Sequence, residues 1–112
     1  MSSKKPIVSV IVRAFNEERW IAHSLHALLS QEFDNFEIII VDNNSTDFTV
    51  DIAKRFPIKK IVMIDKFLPG KALNDGIRES SGEFIVCVSA HCIPKDKYWL
   101  KNLHKHFDGN KL

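Results

Sequence analysis

Apolar positions along the chain fall into two kinds of run, and the two kinds alternate. Four runs are short and almost free of polar residues: Ile7-Val8-Ser9-Val10-Ile11-Val12, Phe36 to Val41, Ile61-Val62-Met63-Ile64 and Phe84-Ile85-Val86-Cys87-Val88. Runs that do not alternate polar with apolar predict strands buried on both faces, as in a parallel sheet covered by helices. The intervening segments follow a helical period. Ile21, Leu25, Leu28 and Leu29 predict a first helix ending near Gln31, with Asn16 as its N-cap and Glu17 and Glu18 in its first turn, where the helix dipole favours acids. A second helix has Ser45 or Thr46 as its cap and Asp47 in its first turn. It turns Ile52, Ala53 and Phe56 inward and stops at Pro57. A third follows Gly70 through Ala72, Leu73 and Ile77 to Ser81, with Gly82 as its stop. Pro94 opens a last helix that sets Trp99, Leu100, Leu103 and Phe107 on one side.

The order is strand, helix, four times over. Such alternation at short spacing implies right-handed crossovers and an α/β, Rossmann-like architecture: a four-stranded, mostly parallel sheet flanked by helices. A length of 112 residues predicts a single domain, 1–112, without repeat, linker or low-complexity tract. No closing element follows the last helix, which leaves two expectations open: a complete small domain, or the N-terminal part of something larger.

Composition narrows the classes. Apolar residues make up 45% of the chain and charged residues 27%, with a formal net charge of +2, a balance that argues against a dedicated nucleic-acid binder. No apolar run approaches the length of a membrane span, and Met1-Ser2-Ser3-Lys4-Lys5-Pro6 lacks the apolar stretch of a secretory signal. Cys87 and Cys92 make no disulfide framework, which favours a reducing, cytoplasmic setting. Cys87 is expected to be buried on its strand, and His91 beside Cys92 matches no standard zinc spacing.

In open α/β sheets ligands bind at the C-terminal edge of the strands. Polar clusters fall there after three of the four strands. Arg13, Ala14, Phe15, Asn16 and Glu17 follow the first, Asp42, Asn43 and Asn44 the second, and Ser89, Ala90, His91 and Cys92 the fourth. Gly70 and Lys71 precede the third helix. These residues offer carboxylates and amides for a base or ribose, and helix N-termini and a lysine for phosphate. No Walker A sequence and no G-x-G-x-x-G after the first strand are present, which argues against P-loop NTPases and dinucleotide dehydrogenases. Plainer readings stand beside these: Asn16, Ser45 and Thr46 as helix caps, Lys71 as a solvated side chain, and Asn74 bonded to nearby backbone.

Four motifs, taken in order, resemble family 2 glycosyltransferases. They are Val8 to Glu17; Ser30-Gln31-Glu32-Phe33 followed by Phe36 to Asp47; Gly70-Lys71-Ala72-Leu73-Asn74-Asp75-Gly76; and Gly82-Glu83-Phe84-Ile85-Val86 leading to Ser89-Ala90-His91. The resemblance covers nearly the whole chain. It implies the nucleotide-sugar-binding half of a GT-A fold. The implied reaction moves a sugar from a nucleotide-diphosphate donor to an acceptor hydroxyl, with inversion, on a glycan or lipid-linked acceptor in polysaccharide assembly. Peripheral membrane association of the parent enzyme also follows from it.

By position in the motifs, Ala14, Phe15 and Glu17 line the nucleotide pocket, Asp42 and Asn43 hold base and ribose, and Lys71 and Asn74 lie near the diphosphate. Ser89, Ala90 and His91 occupy the D-x-D positions, which in the family bind Mg²⁺ or Mn²⁺ through the diphosphate. Two departures stand out at these sites. Asn43 replaces an acid, so its amide oxygen accepts from a base N–H without charge assistance. His91 replaces a carboxylate, and either serves as a single metal ligand or acts as a cation toward the diphosphate in place of the metal. The resemblance implies a chain that stops before the acceptor-binding half, which carries the family's catalytic base, and no residue here is assigned that role. A competing expectation is a non-catalytic nucleotide-binding or protein-interaction module of the same fold. A flavodoxin-like receiver fits poorly, because the first strand ends in Arg13-Ala14-Phe15 rather than in an acidic pair.

Overall fold

The computed structural model describes residues 6–65 and 69–109, with side chains described for 6–65 and 74–106. The elements run β1 (Val8–Ala14), α1 (Ile21–Leu29), β2 (Phe36–Asp42), α2 (Thr49–Ala53), β3 (Lys60–Met63), α3 (Pro69–Glu79), β4 (Phe84–Ser89) and α4 (Trp99–Gly109). The four strands form one sheet in the order β3-β2-β1-β4, and every pairing is parallel. The predicted α/β architecture is the observed one.

Strand alternation divides the core in two. Val8, Val10, Val12 and Ala14 of β1 join Ile38 and Ile40 of β2 on one face. There they pack with Ile21, Leu25 and Leu28 of α1, Ala53 of α2 and Leu100 of α4. Ile11, Ile39 and Val41 face the other way, with Ile64, and α3 covers them. Gly76 makes that cover possible. A Cβ there would come 2.7 Å from Ile11 Cγ2 and 3.1 Å from Val41 Cγ2, so only glycine lets α3 lie this close to the sheet.

Several predicted boundaries move, and each has a cause. α1 starts at Ile21 rather than after Asn16, because Asn16 takes φ 49°, a left-handed conformation that a helix start cannot contain. Trp20 occupies the N-cap without a capping side chain. α2 starts at Thr49, beyond Ser45 and Thr46, whose hydroxyls are engaged elsewhere. α4 starts at Trp99; Pro94 is buried in the irregular connection before it. Leu100 is fully buried and Trp99 packs at the core margin, whereas the expectations for Phe107, Ala72 and Leu73 lie outside the described side chains.

Cys87 is exposed, against expectation. β4 is an edge strand, and α3 lies over β1 and β2 instead. Partial burial still pushes the Cys87 thiol up, against the weaker pull of the Arg13 cation, so it is not an activated nucleophile.

Candidate functional site

The C-terminal edge of the sheet opens into a cleft of about 550 Å³. Its walls come from every strand end: Arg13 and Ala14 from β1, Val41 from β2 and Asn43 just after it, Ile64 after β3 and Ser89 from β4. Phe15 and Glu17 on the loop after β1 complete it. Phe15 is 51% exposed, so its ring is accessible on the wall.

Strand parity sorts these residues. Arg13, Val41 and Ser89 lie in register across the sheet. Val41 belongs to the α3 face, and Asn43 follows it at the same parity. Asp42 lies between them and is fully buried. Its Oδ2 accepts from Ser45 N at 2.8 Å and its Oδ1 from Ser45 Oγ at 2.7 Å. Expected as a ligand carboxylate, Asp42 is therefore placed beneath the loop that follows it, and it does not line the cleft. Among the described residues, Asn43 Oδ1 is the one buried side-chain oxygen or nitrogen without a hydrogen-bond partner. Leaving such an acceptor unpaired costs about 1–3 kcal/mol, and Asn43 stands at the cleft wall.

The loops after β1 and β2 are stitched together, which fixes the cleft before anything binds. Asn16 N donates to Ser45 Oγ at 2.9 Å, and Thr46 N donates back to Asn16 Oδ1 at 2.8 Å. Glu18 N donates to Asp47 Oδ2 at 3.2 Å, and Phe48 N donates back to Glu18 Oε1 at 3.0 Å. Glu17 N donates to Thr49 Oγ1 at 2.8 Å, and that hydroxyl donates to Asp47 Oδ1. Asn16, Ser45 and Thr46 are thus loop-to-loop staples rather than helix caps. Burial pushes the Asp47 carboxyl up, but hydrogen bonds from Thr49 and Glu18 outweigh it and hold the group below its ordinary range. Asn16 and Asn44 both sit at positive φ, 49° and 56°, where asparagine is tolerated and β-branched residues are not.

The loop after β4 is held from the opposite side. Ala90 is buried, and its N–H donates to Arg13 O at 2.8 Å. Ser24 Oγ on α1 donates to Cys92 O at 2.7 Å. Gln31, 8% exposed, donates to Asp96 O at 2.8 Å and accepts from Leu100 N at 2.8 Å. His91 stands on this anchored loop at the rim, with Nδ1 2.9 Å from Glu17 Oε2 and 3.0 Å from Ser89 Oγ.

Of the predicted site residues, Ala14, Phe15, Glu17, Asn43 and Ser89 line the cleft and His91 touches Glu17. Ala90 and Asp42 lie buried behind the wall. Asn74 is exposed on α3 and does not line the cleft, and Lys71 lies outside the described side chains. Val41 and Ile64 are not among the sequence-predicted site residues, and Arg13 enters there only as a member of the polar cluster after the first strand. Their signal was parity: a strand's last residues alternate faces, and the face under α3 carries the cleft. Among the described residues, no three of His, Cys, Asp and Glu converge as a metal cage.

The description "Glycosyl transferase family 2" fits residues 9–112. A dolichyl N-acetyl-α-D-glucosaminyl phosphate 3-β-D-2,3-diacetamido-2,3-dideoxy-β-D-glucuronosyltransferase from Methanococcus voltae is 32% identical over 107 residues, which are 88% of this chain and 33% of that protein. The crystal structure of TarS from Staphylococcus aureus in complex with UDP-GlcNAc superposes with a TM-score of 0.81 at 30% identity, covering 92% of this chain and 31% of that one. A mannosyltransferase from Pyrobaculum calidifontis in complex with GDP-Man and Mn²⁺ gives a TM-score of 0.82 at 28% identity, covering 92% of this chain and 32% of that one. The chain spans about a third of the length of these relatives. By sequence and by fold, it belongs to glycosyl transferase family 2.

Proposed function

We propose that the cleft holds the nucleotide of a nucleotide-sugar donor, and that the chain supplies the donor-binding part of an inverting sugar transfer to an acceptor hydroxyl. The observation that carries this is Asn43 Oδ1, a buried acceptor without a partner at the wall of a preformed cleft. A base N–H is the complementary group. Phe15, exposed on the same wall, offers a flat apolar surface for a base, with Val41 and Ile64 as further apolar lining. Arg13 brings a cation to the cleft for an anionic part of the donor. Asp42 contributes by holding Ser45, and through it the loop that carries Asn43 and Asn44.

Solved relatives carry UDP-GlcNAc in one case and GDP-Man with Mn²⁺ in another. A divalent metal in this site would be held by donor diphosphate oxygens and one imidazole, His91, a set that suits Mn²⁺ better than Mg²⁺. Such a metal would offset the negative charge of the departing nucleoside diphosphate. Glu17 is the one acid among the described cleft-lining residues, and its carboxylate is engaged by His91; the base for the acceptor proton is assigned to neither. A glycan or lipid-linked acceptor, polysaccharide assembly, peripheral membrane association and a cytoplasmic setting follow by analogy with the family. No helix among the described residues is long and apolar enough to cross a membrane.

Isothermal titration with UDP, GDP and dTDP, with and without Mn²⁺, tests the reading. Binding of one of them at micromolar to millimolar concentration is expected; no binding of any at millimolar concentration would refute it. The replacement of D-x-D by Ser89-Ala90-His91 favours a second reading, a module of the same fold that binds nucleotide without transfer. Donor hydrolysis or transfer would exclude that alternative.

A further inference from the structure

His91 has two ring nitrogens, and the structure treats them differently. Nδ1 lies 2.9 Å from Glu17 Oε2, whereas the nearest described polar contact of Nε2 is Ser89 Oγ at 3.5 Å, at the limit for a hydrogen bond. Ser89 Oγ also sits 3.0 Å from Nδ1. A carboxylate is the stronger acceptor of the two, because its charge assists the bond. The Glu17 side chain is the fixed partner: it is 18% exposed against 61% for His91, and its backbone N–H is pinned by Thr49. Which imidazole nitrogen carries the proton is set by the bond the other makes. A histidine that binds a metal characteristically gives its second N–H to a carboxylate.

We propose that Glu17 is a positioning residue that takes the Nδ1–H of His91 and thereby leaves Nε2 bare, as the nitrogen available to a divalent metal of the Mn²⁺ class. The metal part rests on the donor-binding reading above; the role of Glu17 in setting the ring does not. Glu17 then touches the nucleotide less than its place in the motif implies. Its removal acts through His91.

Nitrogen-15 NMR of the neutral ring reads the tautomer directly. The wild type is expected to carry its proton on Nδ1. Glu17→Ala should shift the population toward Nε2–H. Glu17→Gln should keep the wild-type form, because its amide oxygen still accepts, and Ser89→Ala should leave it unchanged. With UDP present, Mn²⁺ affinity followed by electron paramagnetic resonance should fall about 10- to 100-fold in Glu17→Ala, and recover in Glu17→Gln. In a His91→Ala background, Glu17→Ala should cost no further Mn²⁺ affinity.

A wild-type Nε2–H tautomer, or a shift caused by Ser89→Ala and not by Glu17→Ala, would overturn the assignment with the donor reading intact. A Glu17→Ala loss of Mn²⁺ affinity that persists without His91 would do the same. Failure of the wild type to bind UDP at all would overturn the donor reading and the metal part together. The tautomer would still judge Glu17.

Discussion

At the N-terminal end of the strands, Glu37 Oε2 accepts from Ser9 Oγ at 2.6 Å and from Ser81 N at 2.7 Å, while Lys59 Nζ lies 3.3 Å from Oε1. Ser9 Oγ in turn accepts from Gly82 N at 2.8 Å, and Lys59 donates to Glu79 O and Ser81 Oγ, each at 2.8 Å. At the C-terminal end, Asn43 Oδ1 is buried without a partner and His91 is left exposed beside Glu17. Both ends are polar and both lie against the same sheet. The first closes on itself, and even the space is filled: a Cβ on Gly82 would come 2.7 Å from Ser9 N and Oγ. The second is braced around its rim and open at its wall. A network whose members all find partners is a structural clamp, whereas one that leaves a buried acceptor at a cavity wall has room for a ligand.

The comparison breaks most visibly at Glu37. Glu37→Ala strands Ser9, Ser81 N–H and Lys59 together. Chemical denaturation should show a loss of about 3 kcal/mol, with nucleotide affinity unchanged where the protein remains folded. A loss of nucleotide affinity in the folded variant would mean that the two ends are coupled. Asn43→Leu should act in the reverse sense. Calorimetry should record about a tenfold loss of nucleotide affinity, near 1.4 kcal/mol, while stability holds or rises, because an unpaired buried acceptor is removed. If stability falls and affinity stays, Asn43 belongs with the structural clamp.

The smallest effect separates brace from backbone at Asn16. Asn16→Ala loses both the Thr46 staple and the tolerance for positive φ, and Asn16→Gly loses the staple alone. Urea titration should place Asn16→Ala about 1 kcal/mol below Asn16→Gly. Equal losses would mean that the left-handed conformation relaxes at no cost.

Strands were the most legible part of the chain, because unbroken β-branched runs have few other homes. The helices were legible through their apolar period, but their starts were not. Asn16-Glu17-Glu18 reads locally as a cap and first turn, yet its partners are Ser45, Thr46, Asp47 and Thr49, about thirty residues away. No local rule separates a side chain that caps its own helix from one that staples a neighbouring loop, since both use the same short polar groups. Asp42 and Asn43 teach a related lesson. Adjacent residues on a strand point to opposite faces, so the buried carboxylate went to the loop brace and the amide to the cleft.

Periodicity and motif order were enough to establish the alternating architecture, the parallel sheet and the edge where polar residues gather. These depend on burial patterns that each segment carries within itself. Only the tertiary structure decided that Glu17 meets His91 across 74 positions of sequence, that Asn43 keeps an unpaired oxygen, and that Cys87 is exposed at a sheet edge. Those facts depend on which loops and faces are brought together, and on which are left uncovered. Hydrogen-bond partners chosen through space leave no period in the chain.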